Sequence, residues 1–181
     1  MIENKLVEID TLTMAANAHM AIPINYEIYN VTEKQVEKFV ASLQKHLQYV
    51  REAGEQLGVK ETLMHNHDRS KFSMEEFPYY VRQFQGDKDD PDGWDQAWLH
   101  HIHNNPHHPE HWEIPGVRGK CLRMPEYFAK EMIADWMGAS KAYTGSFDMA
   151  EWLGKNYYRM EFHSDTRAFV SGILRDELGM I

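Results

Sequence analysis

A chain of 181 residues with 43% apolar and 12% aromatic side chains has enough material for one domain with a sizeable core. Its formal net charge of −9 argues against a general nucleic-acid binder, since phosphate backbones call for a basic face, but leaves room for a small anionic substrate in a locally basic pocket. A single cysteine, Cys121, excludes an intramolecular disulfide, and no apolar run approaches the roughly 20 residues that span a bilayer.

Residues 1–30 are expected to form an N-terminal arm lying across a helical body that runs from 31 to 181. Within the arm, Met14 to Met20 reads as a short helix, His19 as a surface residue and Ile22-Pro23-Ile24-Asn25-Tyr26 as extended chain. Thr32-Glu33-Lys34-Gln35 fits a capping box and predicts a helix start. Val36, Phe39, Val40, Leu43, Leu47, Val50 and Leu57 then recur at helical spacing, and Gly58 ends the run. His46 borders this stripe, where a core histidine bonded to backbone and a metal ligand are both open readings.

A short helix over 61–68 is expected to carry His67 and Asp68. An adjacent imidazole and carboxylate can turn toward one divalent cation, the first as a borderline ligand and the second as a hard one. Lys71, one turn further on, is placed to meet an anionic substrate held there; the competing reading pairs it with Glu75 or Glu76. Ser73 and Glu76 read as a second capping box, with Phe72 and Phe77 as a hydrophobic staple. They predict a helix from about Met74 to Phe84 with Tyr80, Val81 and Phe84 inward. The acidic stretch Gly86–Gly93 has Pro91 at a calcium-ligand position and Trp98 where a closing Glu belongs. It therefore reads as a turn, with Asp90 or Asp92 starting the next helix.

Eleven histidines are the compositional outlier, six of them between residues 100 and 111. On a helix from Trp94 to Asn104, His101 shares a face with Trp94, Ala97 and Trp98, whereas His103 falls opposite and His100 on the flank. Asn105 to Trp112 follows as a proline-fixed turn carrying His107 and His108; a surface metal-scavenging tract is the alternative. Arg118 and Lys120 lie in the only basic stretch free of acids, either a phosphate cradle or an ordinary solvated loop. Pro125 opens a helix whose apolar face, Phe128, Met132, Ala139 and Ala142, includes Asp135. A carboxylate there is costly unless it binds a metal or pairs with Arg or Lys. Two further helices near 148–162 and 165–178 read as core cover. The expectation is an all-α, single-domain bundle of about six helices, with no linker and no internal repeat. With one cysteine and no signal peptide, a reducing cytoplasm is the expected location.

The order His46, His67-Asp68, Asp135 resembles the HD superfamily of metal-dependent phosphohydrolases, and the gaps of 21 and 67 residues are similar to those in its nucleotidase and alarmone-hydrolase members. The resemblance implies an HD-domain-like helical bundle in which these four side chains bind one metal. His67-Asp68 with Lys71 also resembles the His-Asp-x-x-Lys of the cyclic-dinucleotide phosphodiesterase branch, where intervening histidines hold a second metal. His101 and one or both of His107 and His108 match those by order. Residues 65 to 112 resemble an uncharacterised bacterial and phage family known only as a domain of unknown function. Its hallmarks read here as His67 through Ser73, Glu75-Glu76-Phe77, Gly86-Asp87, and Ala97-Trp98 through His107-His108.

These resemblances imply a small phosphoester as substrate, a nucleotide or otherwise, hydrolysed by a metal-activated water. Asp68 would bridge two metals, and Lys71, joined by Arg118 or Lys120, would neutralise phosphoryl charge. Mixed nitrogen and oxygen ligands favour one or two divalent transition metals, Mn, Fe, Co or Zn. No membrane partner is expected, and a homodimer stays open. The alternatives are an HD-type di-iron oxygenase and a non-catalytic, metal-stabilised interaction protein.

Overall fold

Thr32 caps the longest described helix as its sequence predicts. Its hydroxyl accepts from the Gln35 N–H at 3.3 Å while Gln35 Oε1 accepts from the Thr32 N–H at 2.7 Å, so two orphan donors are satisfied reciprocally. The structure, a computed structural model, describes residues 10–18 and 22–181. The readings of His19 as a surface residue, of a helix reaching Met20 and of residues 1–9 as part of an arm lie outside the described residues.

Eight α-helices are described: α1 (Thr11–Ala16), α2 (Glu33–Gln56), α3 (Glu61–Asn66), α4 (Phe77–Gln85), α5 (Pro91–Asn104), α6 (Glu126–Thr144), α7 (Ala150–Asn156) and α8 (Ser164–Gly172). Short 3₁₀ turns follow α3, α5 and α7, and α8 runs into a π turn over Ile173–Glu177. No strand occurs among the described residues, only an isolated bridge between Glu113 and Cys121, so the fold is all-α. Six of the helices have seven residues or more; α1 and α3 are the two short additions to the expected six. No described helix is long and apolar enough to cross a membrane.

Helix α2 is the spine. Its first half sends Val36, Phe39, Val40, Leu43 and Leu47 into a cluster with Phe77, Tyr80 and Val81 of α4 and Ala97 of α5. Its second half sends Val50 and Ala53, with Leu57 at the C-cap, into another, with Met132, Ile133 and Met137 of α6, Leu153 of α7 and Leu174. His46 falls at the seam between them. The long α2–α6 contact depends on Gly138, where an added Cβ would lie 2.5 Å from Val50 Cγ2 and 2.7 Å from the Val50 nitrogen.

Three local readings need correction. Helix α3 ends at Asn66, so His67 and Asp68 follow the helix and are not on it. Helix α4 starts at Phe77, not near Met74, because Pro78 suits the first helical turn, and the Glu76 side chain bonds histidines instead of capping at Ser73. Phe84 is 49% exposed, its end of α4 having passed beyond the core. The acidic stretch is a turn: Asp90 caps α5 through the Gly93 N–H at 3.0 Å, and Arg82 pairs with both Asp89 and Asp90.

Candidate metal centre

Two backbone steps aim the central pair. His67 leaves α3 in an extended conformation, and Asp68 adopts the left-handed region at φ 59°, ψ 21°. Few L-residues tolerate that region, Asp among the better ones, and holding it costs on the order of 1 kcal/mol. The reversal lets two successive side chains turn inward, and both are buried. The 3₁₀ turn Arg69–Phe72 then folds Lys71 back, so that its Nζ donates to Asp68 Oδ2 at 2.6 Å. The predicted competitors for Lys71, Glu75 and Glu76, do not pair with it.

Four potential ligand atoms face one point. His46 Nε2 lies 3.2 Å from both Asp68 Oδ2 and Asp135 Oδ1, and His67 Nε2 lies 3.6 and 3.4 Å from the same two oxygens. Metal–ligand bonds near 2.1 Å in octahedral or tetrahedral geometry require edges of about 3.0 to 3.4 Å, so these spacings suit one ion. The other Asp68 oxygen faces a second set: Oδ1 is 3.4 Å from His101 Nε2 and 3.8 Å from His107 Nε2, and His101 Nε2 is 2.9 Å from His108 Nε2. Within each set all ligand atoms lie within 4.8 Å of one another, inside the limit of about 6 Å that a shared ion sets. Both His107 and His108 belong to the second set.

Three buried partnerless atoms are ones a cation would use. His67 Nε2, Asp68 Oδ1 and His107 Nε2 are buried without a hydrogen bond, an arrangement rarely left standing in a folded protein. Two carboxylates behind the cluster set the tautomers. Glu131 Oε1 lies 3.0 Å from His67 Nδ1 and 3.4 Å from His107 Nδ1, so each ring can donate backwards from Nδ1 and leave Nε2, once free of its proton, to face a cation. Glu76 does the same for His101 through Oε2 at 2.8 Å, while its other oxygen accepts from His100 Nδ1 at 2.7 Å. Such outer carboxylates are the usual companions of metal-binding imidazoles.

The electrostatics set the protonation that a cation would meet. Burial alone pulls His67 down, but Asp68, Asp135 and Glu131 outweigh it and push the imidazole up to about 10. Burial pushes Asp68 up, yet Lys71 and His67 hold it well below the usual carboxylate range; His46 and His67 do the same for Asp135. Burial pulls His101 and His108 down, so both stay neutral, the form that ligates. In the metal-free protein at neutral pH, His67 therefore carries a proton that binding must displace. Metal affinity should rise by up to about tenfold per pH unit on this group alone until pH nears 10, with a proton released per ion at the first set. Calorimetry in buffers of different ionisation enthalpy measures that proton, and its absence at pH 7 would show that His67 is already neutral in the metal-free protein.

The other predicted residues divide cleanly. His101 is fully buried, as its helix face requires, and His103 is exposed. His101→Ala should halve metal content, whereas His103→Ala should leave it unchanged, read by elemental analysis of protein purified without a histidine tag. Unchanged metal content in His101→Ala would mean that the second set does not hold metal. Arg118 and Lys120 are exposed on the 113–121 loop; Arg118 lines a groove with His103, Glu110, Glu113 and Glu161, and neither cation lines the cavity beside Lys71. The histidine tract is no loose scavenger: Trp112 Nε1 donates to Pro106 O at 2.8 Å and His111 Nδ1 to Ile102 O at 2.9 Å.

Glu76 and Glu131 were not singled out as site residues from the sequence. Glu131 stands one turn before Asp135 and, like it, interrupts an apolar run, a signal of the same kind. Residues 35–176 match the sequence model of a Family of unknown function (DUF5662). No curated protein and no solved structure matches the chain.

Proposed function

The chain belongs to that family of unknown function, and from the chemistry of its cluster we propose that it is a metal-dependent phosphohydrolase acting on a small phosphoester. The observation that carries this reading is the sharing of Asp68 between two sets of four ligand atoms, the first of which opens on a cavity lined by cations. That cavity, of about 470 Å³, is lined by His46 and Asp135 from the ligand set, by Lys71 and Lys45, and by Phe39, Tyr80, Phe84 and Tyr143. The order of His46, His67-Asp68 and Asp135 along the chain supports an HD-like arrangement.

His46, His67, Asp68 and Asp135 would hold one ion and Asp68, His101, His107 and His108 the other. Divalent ions so placed would supply Lewis acidity and lower the pKa of a coordinated water. The chain's own residues do the rest. Lys71 keeps its proton, because the pull of burial on its ammonium is outweighed by Asp68 and Asp135. Its charge therefore stands at the cavity wall, where a phosphoryl oxygen gains negative charge in the transition state. Glu76 and Glu131 keep the rings from rotating, and Phe39, Tyr80, Phe84 and Tyr143 offer apolar surface to the ester.

The test begins with protein purified without a histidine tag, loaded with Mn, Fe, Co or Zn and offered phosphomonoesters and cyclic nucleotides. Lys71→Met should keep metal content and melting temperature while lowering kcat by about 100-fold, as expected for an interaction made in the transition state. Full activity in Lys71→Met would take this residue out of the mechanism. Two bound ions without turnover of any phosphoester would count against the hydrolase, and oxygen uptake by the iron-loaded protein would favour the oxygenase instead.

A further inference from the structure

One more buried polar atom without a partner belongs to a residue of the cavity wall. Tyr80 is 3% exposed and lines the cavity, yet its hydroxyl makes no hydrogen bond. The other described partnerless atoms lie either on the two ligand sets or on Thr11, Arg51 and Ser73, none of which lines this cavity. A phenol kept in a core without a partner is penalised where phenylalanine would not be, so the hydroxyl calls for a function.

The ring has little freedom to look elsewhere. Trp94 packs edge-on at 5.0 Å between centroids, His101 lies at 5.6 Å and Phe39 at 6.3 Å. The Lys71 ammonium sits 5.4 Å from the ring centroid, which puts the phenol and the cation on the same wall. Resting on the phosphohydrolase reading, we propose that Tyr80 is a substrate-binding residue whose hydroxyl donates a hydrogen bond to an oxygen of the phosphoryl group, beside Lys71. Its environment suits a donor: burial, with Asp68, Glu76 and Asp135 nearby, pushes the phenol far above its ordinary range, so the proton stays on oxygen.

The experiment is calorimetric titration of inorganic phosphate into the metal-loaded protein, wild type against Tyr80→Phe. The expected result is phosphate binding weakened by about tenfold to a hundredfold, the usual effect of losing a hydrogen bond to a charged group. Metal content should be unchanged, and the metal-free variant should melt no lower than wild type, since the deleted oxygen has no protein partner. Equal phosphate affinity in the two proteins overturns the assignment, as does a wild type that binds no phosphate. Weakened binding in Tyr80→Phe with no phosphoester turnover by wild type upholds the anion subsite and counts against the hydrolase. Turnover by wild type with unchanged phosphate affinity in Tyr80→Phe does the reverse.

Discussion

Asn in place of Asp68 should empty both ligand sets in a single step. Each carboxylate oxygen serves a different set, Oδ2 facing His46 and His67 and Oδ1 facing His101 and His107. An amide keeps the shape but offers one neutral oxygen and one NH₂ donor, which repels a cation. The backbone gives no reason for misfolding, because Asn tolerates the left-handed φ of 59° about as well as Asp does. Losing a single outer partner of a metal site costs about 10- to 100-fold in affinity, so losing the shared ligand should exceed 100-fold at both positions. Elemental analysis and circular dichroism check it together: helical signal retained, metal gone. Wild-type metal content in Asp68→Asn would show that the carboxylate joins no sites. The variant should also let His67 titrate closer to its ordinary range, since Asp68 is the leading charge that raises it.

The second large effect is expected at a residue with no side chain of its own. In Gly138→Ala the new methyl would fall 2.5 to 2.9 Å from Val50 atoms, two of them backbone, which cannot rotate away. Helices α2 and α6 must then separate, and overpacking of this kind costs about 1–3 kcal/mol. For a chain this long that lowers the melting temperature of metal-free protein by about 2–12 °C. His46 and Asp135 ride on the same two helices, so the first ligand set should lose affinity while the second, on α5, the loop after it and Asp68, keeps its own. Gly172→Ala is the control. It lies in α8 with open space where its Cβ would go, and a helical Gly→Ala exchange there should stabilise by about 0.4–1 kcal/mol. Equal melting temperatures for Gly138→Ala and wild type would mean that the helix contact yields more easily than its geometry implies.

What was legible from sequence follows how local each signal is. The α2 cap and stripe, the inward His101 and the costly Asp135 each depend on a few neighbouring residues, and helical periodicity exposes them. Asp68 was legible as a ligand type but its left-handed backbone was not, because no pattern of side chains announces a chain reversal at a non-glycine residue. Glu76 shows the opposite error. Three residues after Ser73 and before an apolar helix, it satisfies a capping pattern, but the partners that claim it, His100 and His101, are 24 and 25 residues away. The basic loop with Arg118 and Lys120 had no periodicity to say which way it faces, and it faces solvent.

The spread of the ligands along the chain has a consequence for how the protein would assemble. The first set joins positions 46 and 135, and the segment between them closes only when α2 and α6 have docked. Loop-closure entropy makes such a junction a late event. The second set draws three of its four members from residues 101–108, so it is nearly complete within one short stretch and waits only for Asp68. An ion captured early by the histidine stretch would act as an anchor onto which Asp68 folds, and a second ion would then work as a rivet, clamping the two halves of the core once they meet. Were both sets filled, unfolding would run through the reverse order, and loss of the riveting ion would be the gate on the lifetime of the native state.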